Sequence, residues 1–473
     1  MIRREKMEKK KKSVKIPHTF VLLFVLVIIC AIATWIIPAG TYDYVVDENT
    51  GREVVDPDSF HFVEGQGVGP FDMMLEFIKG MEDSSDIIFL IFIVGGSFMI
   101  LQDTGAMTAG VHAMARKFGK RQNIVLLLFM FLFSVLGGTM GMAEEVIVFI
   151  PLLASLCKEL KLDRMVALAV VMIGARVGFT TGLINPFTVG VAQGIAGQPL
   201  YSGLWYRLIW YGIILVITGW YIMRYVRKIR KDPTLSIMYG VEVEGGEDEE
   251  DEGAGYALDG RKTATIIMFF AGLIFMVFGV FEWGWFMEEI ATLFLIMGIL
   301  GGLICGMKPN EVAKSFIKGA KEFCFAALVV GVARAVMLTL QDGGIIDTVV
   351  YYTASVLDGL PKVIAANGMY AFQTILNFFI PSGSGLAATT MPIMTPLADA
   401  LDISRQTAVL AYHYGDGFTN LIFPTTGSLM AAVAVSKVPF ERYLKWVMPL
   451  CAIWIVIGIA SMTIATLINL GPF

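Results

Sequence analysis

Charge is scarce in this chain. Only 16% of its 473 residues are Asp, Glu, Lys or Arg, where a soluble domain carries about a quarter. Apolar residues make up 56% and mean hydropathy is +0.70, so most of the chain belongs in lipid and a soluble globular fold is excluded. Histidine is scarcer still, four residues without a cluster, and the five cysteines (Cys30, Cys157, Cys305, Cys324, Cys451) lie scattered in or beside apolar runs. Neither metal-ligand spacing nor a disulfide framework is present, so the cysteines are expected to be small core residues. No Walker A or dinucleotide fingerprint occurs, which argues against nucleotide-driven pumping within the chain. An intramembrane enzyme needs a nucleophile with its base, or a metal. His413 with Asp416 is the one candidate dyad, and nothing nearby completes it. Nothing calls for an organic cofactor or a nucleic-acid partner.

Long apolar runs are what the sequence has instead. Runs of spanning length lie at about Thr19–Pro38, Asp86–Leu101, Trp205–Arg224, Thr263–Phe281, Ile290–Cys305, Phe323–Leu340 and Trp446–Ile468. Four more, Asn123–Leu160, Met165–Ala196, Ala366–Ala400 and Thr407–Val435, are broken by Gly, Pro, Ser, Thr and Asn. The first run follows a basic head (Arg3, Arg4, Lys6, Lys9–Lys12) and is long enough to span, so it reads as a retained helix rather than a signal peptide. The head, Arg116–Arg121, Lys158–Arg164, Arg224–Lys231 and Lys437–Lys445 are assigned to the cytoplasm, which puts the N-terminus inside and the C-terminus outside. Asn123–Leu160 begins and ends beside such segments. It must therefore enter and leave on one side, as a re-entrant hairpin turning at Gly137–Gly141.

The chain also repeats itself. LQDTG at Leu101 and LQDGG at Leu340 place Asp103 and Asp342 at an offset of 342 − 103 = 239; GFTTGLINPFTVG from Gly178 and GFTNLIFPTTG from Gly417 share the offset, 417 − 178 = 239. The helices bearing the LQD strings run in opposite directions, and a second hairpin, Ala366–Ala400, turns at Pro381–Gly385 on the opposite side. The expected fold is an all-α polytopic membrane protein of two inverted repeats, each with a re-entrant hairpin and a broken helix, the arrangement of alternating-access transporters. The expected boundaries are a basic head 1–18, a first repeat 19–231 with an outer loop 39–85, an acidic linker 232–262 carrying Glu242–Glu252, and a second repeat 263–473.

Unwound backbone survives at membrane depth only where it is buried in protein or lines a watery cavity. Gly137–Gly141, Thr180–Thr188, Pro381–Gly385 and Thr419–Thr426 are the four such segments, offering hydroxyls, amides and carbonyls to an ion or a carboxylate, with half-helix N-termini beyond them. Packing glycines are the plain alternative. Glu144, Glu145, Asp416, Arg176 and Arg334 fall within or beside spans, each at a cost on the order of 3 kcal/mol on insertion scales, so each needs a role or a partner such as Arg176 with Asp416 or Glu145. A site offering both signs suits a zwitterionic or cationic amino acid; a dicarboxylate prefers one without acids. Asp103 and Asp342 are expected to cap their helix ends.

At the hairpin tips, PSGSGLAATTMPIMTPLAD (Pro381–Asp399) and GTMGMAEE (Gly138–Glu145), with GFTNLIFPTTG and the IPAGTY after the first helix, resemble the YfcC-like family of the C4-dicarboxylate anaerobic carrier group, from about Ile16 onward. The resemblance implies the dicarboxylate/sodium symporter architecture, an elevator-type mechanism and a homodimer. It implies a substrate among C4-dicarboxylates, short-chain fatty acids and basic amino acids, YfcC-like members being labelled arginine/ornithine antiporters. Those symporters mark each tip with Ser-Asn-Thr. Here GGTMG and PSGSG lack Asn, which leaves Asn185 and Asn420, with Thr180 and Thr419, as the oxygens for a Na⁺ ion.

The leading expectation is an inner-membrane secondary carrier of basic amino acids, working by exchange or by Na⁺ or H⁺ coupling. Thr139, Ser382, Ser384 and the tip N–H groups hold the substrate carboxylate, and Glu144, Glu145 or Asp416 holds its cationic end. Gly141, Gly383, Asn185, Asn420 and Thr425 complete the lining. In a second reading Arg176 or Arg334 holds a C4-dicarboxylate or another small carboxylate. A third makes the chain a receptor with Glu242–Glu252 as its contact.

Overall fold

A computed structural model describes residues 18–46, 53–56, 59–65, 67–110, 122–241, 258–357 and 359–471. The basic head, the Arg116–Arg121 segment and the Glu242–Glu252 block lie outside the described residues. Helices dominate: α1 Thr19–Ile36, α2 Pro70–Asp83, α3 Ser85–Asp103, α4 Gln122–Met140, α5 Ile150–Glu159, α6 Arg164–Leu168, α7 Gly174–Thr181, α8 Val191–Ile195, α9 Leu204–Lys231, α10 Gly260–Trp283, α11 Met287–Ile304, α12 Pro309–Glu322, α13 Cys324–Asp342, α14 Ile346–Leu357, α15 Lys362–Phe379, α16 Gly383–Ala400, α17 Arg405–Thr419, α18 Gly427–Val435 and α19 Phe440–Leu467. Among the described residues eight helical stretches are long and apolar enough to cross a membrane. The π-helical turn Ala169–Ile173 joins α6 to α7.

Start signals are written into the sequence. Pro70 and Pro309 open α2 and α12, where a fixed φ and a missing N–H cost nothing. Asp163 caps α6 by accepting from Val166 N (3.1 Å), and Ser404 caps α17 by accepting from Thr407 N (3.2 Å). The outer loop is not irregular throughout, because α2 occupies its second half, and strand pairs Gly40–Thr41 with His61–Phe62 and Tyr44–Val46 with Glu53–Val55 precede it.

Secondary structure repeats as the motifs do. Pro70–Asp83 and Pro309–Glu322 start and end 239 residues apart, as do Ser85–Asp103 and Cys324–Asp342. Packing is exchanged between the halves: α2 lies on α13, and α12 on α3. Small residues set both crossings, since a Cβ on Gly80 would stand 2.3 Å from Gly331 O, and one on its mate Gly319 would stand 2.3 Å from Gly95 O. Asp103 and Asp342 do not cap. They reach across to the other half, Asp103 to Lys318 at 3.8 Å and Asp342 to Lys79.

The 28-residue helices α9 and α19 run antiparallel: Tyr206 donates to Ser461 O (2.5 Å) near one end, and Tyr221 to Trp446 O (2.7 Å) near the other. The hairpin α4–α5 opens where α9 ends, with Arg230 donating to Asn123 Oδ1 (2.6 Å) and Gln122 Oε1 (2.9 Å) at its entry. At its exit Asp163 accepts from Tyr225 and from Ser236 Oγ (2.5 Å). The hairpin α15–α16 opens where α19 ends. Lys362 pairs with Asp402 at 3.0 Å across its mouth, and Asn367 donates to Thr463 Oγ1 at 3.1 Å. Innermost is the interrupted helix Arg164–Ile195, whose most apolar window is 94% buried.

The hairpin turns fall beside the expected places. Helix α4 runs on through Gly137–Met140, and the chain turns at Gly141–Glu144. Gly137 and Gly138 are packing glycines after all. A Cβ on Gly137 would meet Ala175 O at 2.1 Å, and one on Gly178 of α7 would meet Ser134 O at 1.6 Å. The second turn is Ile380–Ser382, and Gly383–Gly385 already form the first turn of α16.

Candidate substrate site

Both hairpin tips and both helix breaks meet in the middle of the fold. At the first break the left-handed Gly182 (φ 55°) ends α7, and Asn185 restarts the helix by accepting from Phe187 N at 2.9 Å. The first tip rests on this break: Ile184 N donates to Gly138 O (3.0 Å), and the Asn185 side chain fills the space where Gly141 (φ 68°) lacks a Cβ. The second tip rests on the partner helix, with Tyr412 of α17 donating to Gly383 O at 2.6 Å. A Cβ on Gly383 would meet Thr188 Cγ2 at 2.7 Å and Asp416 Oδ2 at 3.3 Å. Asn377 of α15 ties the second break down, donating to Asp416 O (2.7 Å), Thr419 Oγ1 (3.1 Å) and Asn420 Oδ1 (3.1 Å). The two broken helices cross where Thr180 faces Gly417 and His413 faces Gly182.

Around this junction buried polar atoms stand without a partner: Thr180 Oγ1, Asn185 Nδ2, Thr188 Oγ1, Asn377 Oδ1, Thr425 Oγ1 and both oxygens of Asp416. A buried polar atom left unbonded costs about 1–3 kcal/mol, and a charged one more, so such a concentration makes this junction the candidate site. Arg176 is buried beside it. Its Nη2 donates to Ser428 Oγ at 2.5 Å, its guanidinium lies 5.0 Å from the Phe179 ring centroid, and its Nε has no partner. The charges of Glu144, Asp416 and Glu145 act on it, yet among the described residues no ion pair within 4.0 Å joins it to Asp416 or Glu145.

The expected site residues divide accordingly. Gly141, Asn185, Gly383, Asp416 and Thr425 converge at the junction, as does Thr180. Asn420 and Thr419 are held within the second break, Asn420 Oδ1 also accepting from Thr426 at 3.1 Å. Thr180 and Asn185 belong to the first break, so the four oxygens expected around Na⁺ divide between the two breaks. Glu145 serves its own turn, accepting from Ala143 N at 3.1 Å. Glu144 is half-buried and lines an apolar crevice with Leu90, Val94 and Phe98 of α3. Thr139 is spent on Val135 O (2.8 Å), Ser382 caps α16 by accepting from Gly385 N (3.3 Å), and Ser384 is exposed. Arg334 is taken by Asp83 at the far end of α2. Sequence reasoning missed Asn377 and Tyr412; a lone amide inside the apolar run ILNFF was the available signal for the first.

The family model for the C4-dicarboxylate anaerobic carrier matches residues 16–467. The chain belongs to that family. The carrier is 33% identical over 466 residues, 91% of its length and 92% of the other's, to the Escherichia coli (strain K12) protein named "Putative basic amino acid antiporter YfcC". It is 29% identical to an uncharacterized Haemophilus influenzae protein over 95% of its own length and 97% of that one's. Among solved structures, MtrF of Neisseria gonorrhoeae aligns at 17% identity and TM-score 0.41 over 96% of both chains. The YdaH transporter of Alcanivorax borkumensis aligns at 12% identity and TM-score 0.42 over 96% of this chain and all of that one, 100%. Its family membership, with its apolar helices, makes the carrier a multi-pass membrane transporter and not an enzyme.

Proposed function

We propose that this carrier moves amino acids, basic ones in particular, by exchange or ion-coupled uptake across the inner membrane, with its N-terminus in the cytoplasm and its C-terminus outside. The observation that carries the reading is Asp416, a buried carboxylate beside the second tip with both oxygens unpartnered. With Glu145 committed to its own turn, the junction offers one acid, Asp416, and one guanidinium, Arg176, and Glu144 in the neighbouring crevice is a second acid whose charge reaches that guanidinium. A basic amino acid brings two cations and one carboxylate, which is the complement of that set. A C4-dicarboxylate would bring two anions to the same two acids. In this reading Arg176 and the N–H groups opening α16 and α18 take the α-carboxylate, Asp416 the α-ammonium and Glu144 the side-chain cation. Thr180, Thr425 and Asn377 supply the oxygens for a coupling Na⁺ where one is used.

The mechanism we infer is elevator-type alternating access by two inverted repeats, 19–231 and 263–473, working as a homodimer. The antiparallel course of α9 and α19 and the two hairpins opening at opposite ends support the inversion. Counterflow in proteoliposomes tests the function. With unlabelled arginine or ornithine inside, labelled arginine should enter rapidly, and succinate should not compete. Succinate accumulation without arginine exchange would choose the second reading, which the family's name and the free Nε of Arg176 favour.

A further inference from the structure

Each half of the molecule reaches the other through a three-residue contact, and the two contacts occupy matching positions. On one side are Ser315, Lys318 and Asp103; on the other are Glu76, Lys79 and Asp342, with 315 − 76, 318 − 79 and 342 − 103 all equal to 239. In the first contact Ser315 Oγ donates to Asp103 Oδ2 at 2.6 Å, and Lys318 balances the aspartate. That trio is neutral. In the second, a carboxylate replaces the serine. Lys79 Nζ donates to Glu76 Oε1 at 2.9 Å and also to Asp342, so one ammonium bridges the two carboxylates. The Glu76 side chain is 0% exposed and its Oε2 has no partner.

With both acids ionised this trio carries one uncompensated negative charge beside an orphaned, buried oxygen. One proton removes both faults. A protonated Oε2 would donate to the Asp342 carboxylate as the Ser315 hydroxyl donates to Asp103, and the trio would match its counterpart in charge and in hydrogen bonding. We propose that Glu76, Asp342 and Lys79 form a binding site for a single proton between the two halves of the carrier, with Glu76 as the group that carries it.

Lys79 from its own helix and Asp342 from α13 are the ionised groups that act on Glu76. Arg334 of α13 is held by Asp83, two turns along α2. The first helix, α1, contributes Cys30 as its one ionisable side chain, and α3 contributes Asp86 near its start and Asp103 at its end. The 14-residue α2 is too short to span, and burial, before the opposing Lys79 and the added push of Asp342, raises the Glu76 pKa above the ordinary carboxylate value. For a raised pKa the sign is fixed. The stabilising proton is fully present at low pH and is lost as pH rises through the folded-state pKa.

The test uses the purified full-length protein, its Glu76→Gln form and its Glu76→Ser form, the last copying the counterpart residue. Subtracting the E76Q acid-minus-alkaline infrared difference spectrum from that of the wild type should leave a carboxylic-acid carbonyl band belonging to Glu76. The Tm gap between E76Q and wild type should be near zero in acid and widen in favour of E76Q as pH rises, and E76S should follow E76Q. A double-difference spectrum without that band, or melting curves that shift in parallel with pH, would overturn the site. Should E76Q fail to fold, E76S is read in its place. Failure of both would also overturn it, because a neutral residue is what the proposal says the position prefers.

Discussion

Asp416→Asn is the sharpest perturbation, because the structure makes it move two quantities in opposite directions. The carboxylate is fully buried, neither oxygen has a partner, and the second tip stands against Oδ2. In the proposed function it makes a charge-assisted hydrogen bond to the substrate ammonium, worth about 1.5–3 kcal/mol. At 1.4 kcal/mol per decade that is about 10- to 100-fold in affinity. Without substrate the buried carboxylate has the Arg176 charge but, among the described residues, no ion pair to offset its desolvation, and replacing it with an amide of equal shape should stabilise the empty protein by on the order of 1 kcal/mol. Each kcal/mol corresponds to about 2–4 °C in Tm for a mid-sized domain. Calorimetric titration with arginine and thermal melting of the empty protein read the two effects on one preparation. Expected together are arginine affinity down by at least tenfold and a higher Tm for the empty protein. Unchanged arginine affinity refutes the assignment of Asp416 to the substrate cation. A lower Tm in D416N refutes the claim that the charge is held at a cost for the ligand's sake.

Three further outcomes follow from the packing. Gly178→Ala places a Cβ 1.6 Å from Ser134 O; a backbone oxygen cannot swing aside, so the loss should reach about 3 kcal/mol or more, read as a sharp drop in folded yield and Tm. Asn377→Ala removes the amide whose two N–H groups are shared among three acceptors of the second break; at about 1 kcal/mol per N–H the helix break should loosen, and transport in proteoliposomes should fall more steeply than Tm. Exchanging Lys318 and Asp103 should leave stability within about 1 kcal/mol, since both side chains are substantially exposed and such pairs are weak; a large loss would show that the contact depends on its polarity.

The spans and the repeat were legible in the sequence because both rest on periodic signals. A run such as Thr19–Pro38 has no stable home but lipid, and two motifs sharing one offset announce two halves. Hairpin and break positions were legible to within a few residues. The remainder depended on pair distances that one-dimensional text does not carry. Gly137 and Gly138 read as a turn, although a glycine that lets α4 approach Ala175 is spelled the same way. Glu144 and Glu145 were indistinguishable as adjacent acids until the turn showed one accepting from Ala143 N and the other facing a crevice. Asp103 and Asp342 looked like caps because their partners, Lys318 and Lys79, lie more than 200 residues away. Asn377 was hidden by its neighbours, since one amide scarcely alters the hydropathy of its run.

The exchanged packing of α2 on α13 and of α12 on α3 has a consequence for how the chain closes. Each short helix finds its seat on a helix from the other half, down to matching 2.3 Å approaches at Gly80 and Gly319. The seats on α2 and α3 wait for α13 and α12, whose residues come more than 200 positions later, so loop closure of that length precedes the reward of these contacts. The halves are interlocked rather than merely adjacent, and a chain cut after α9 leaves both α2 and α3 without their partners.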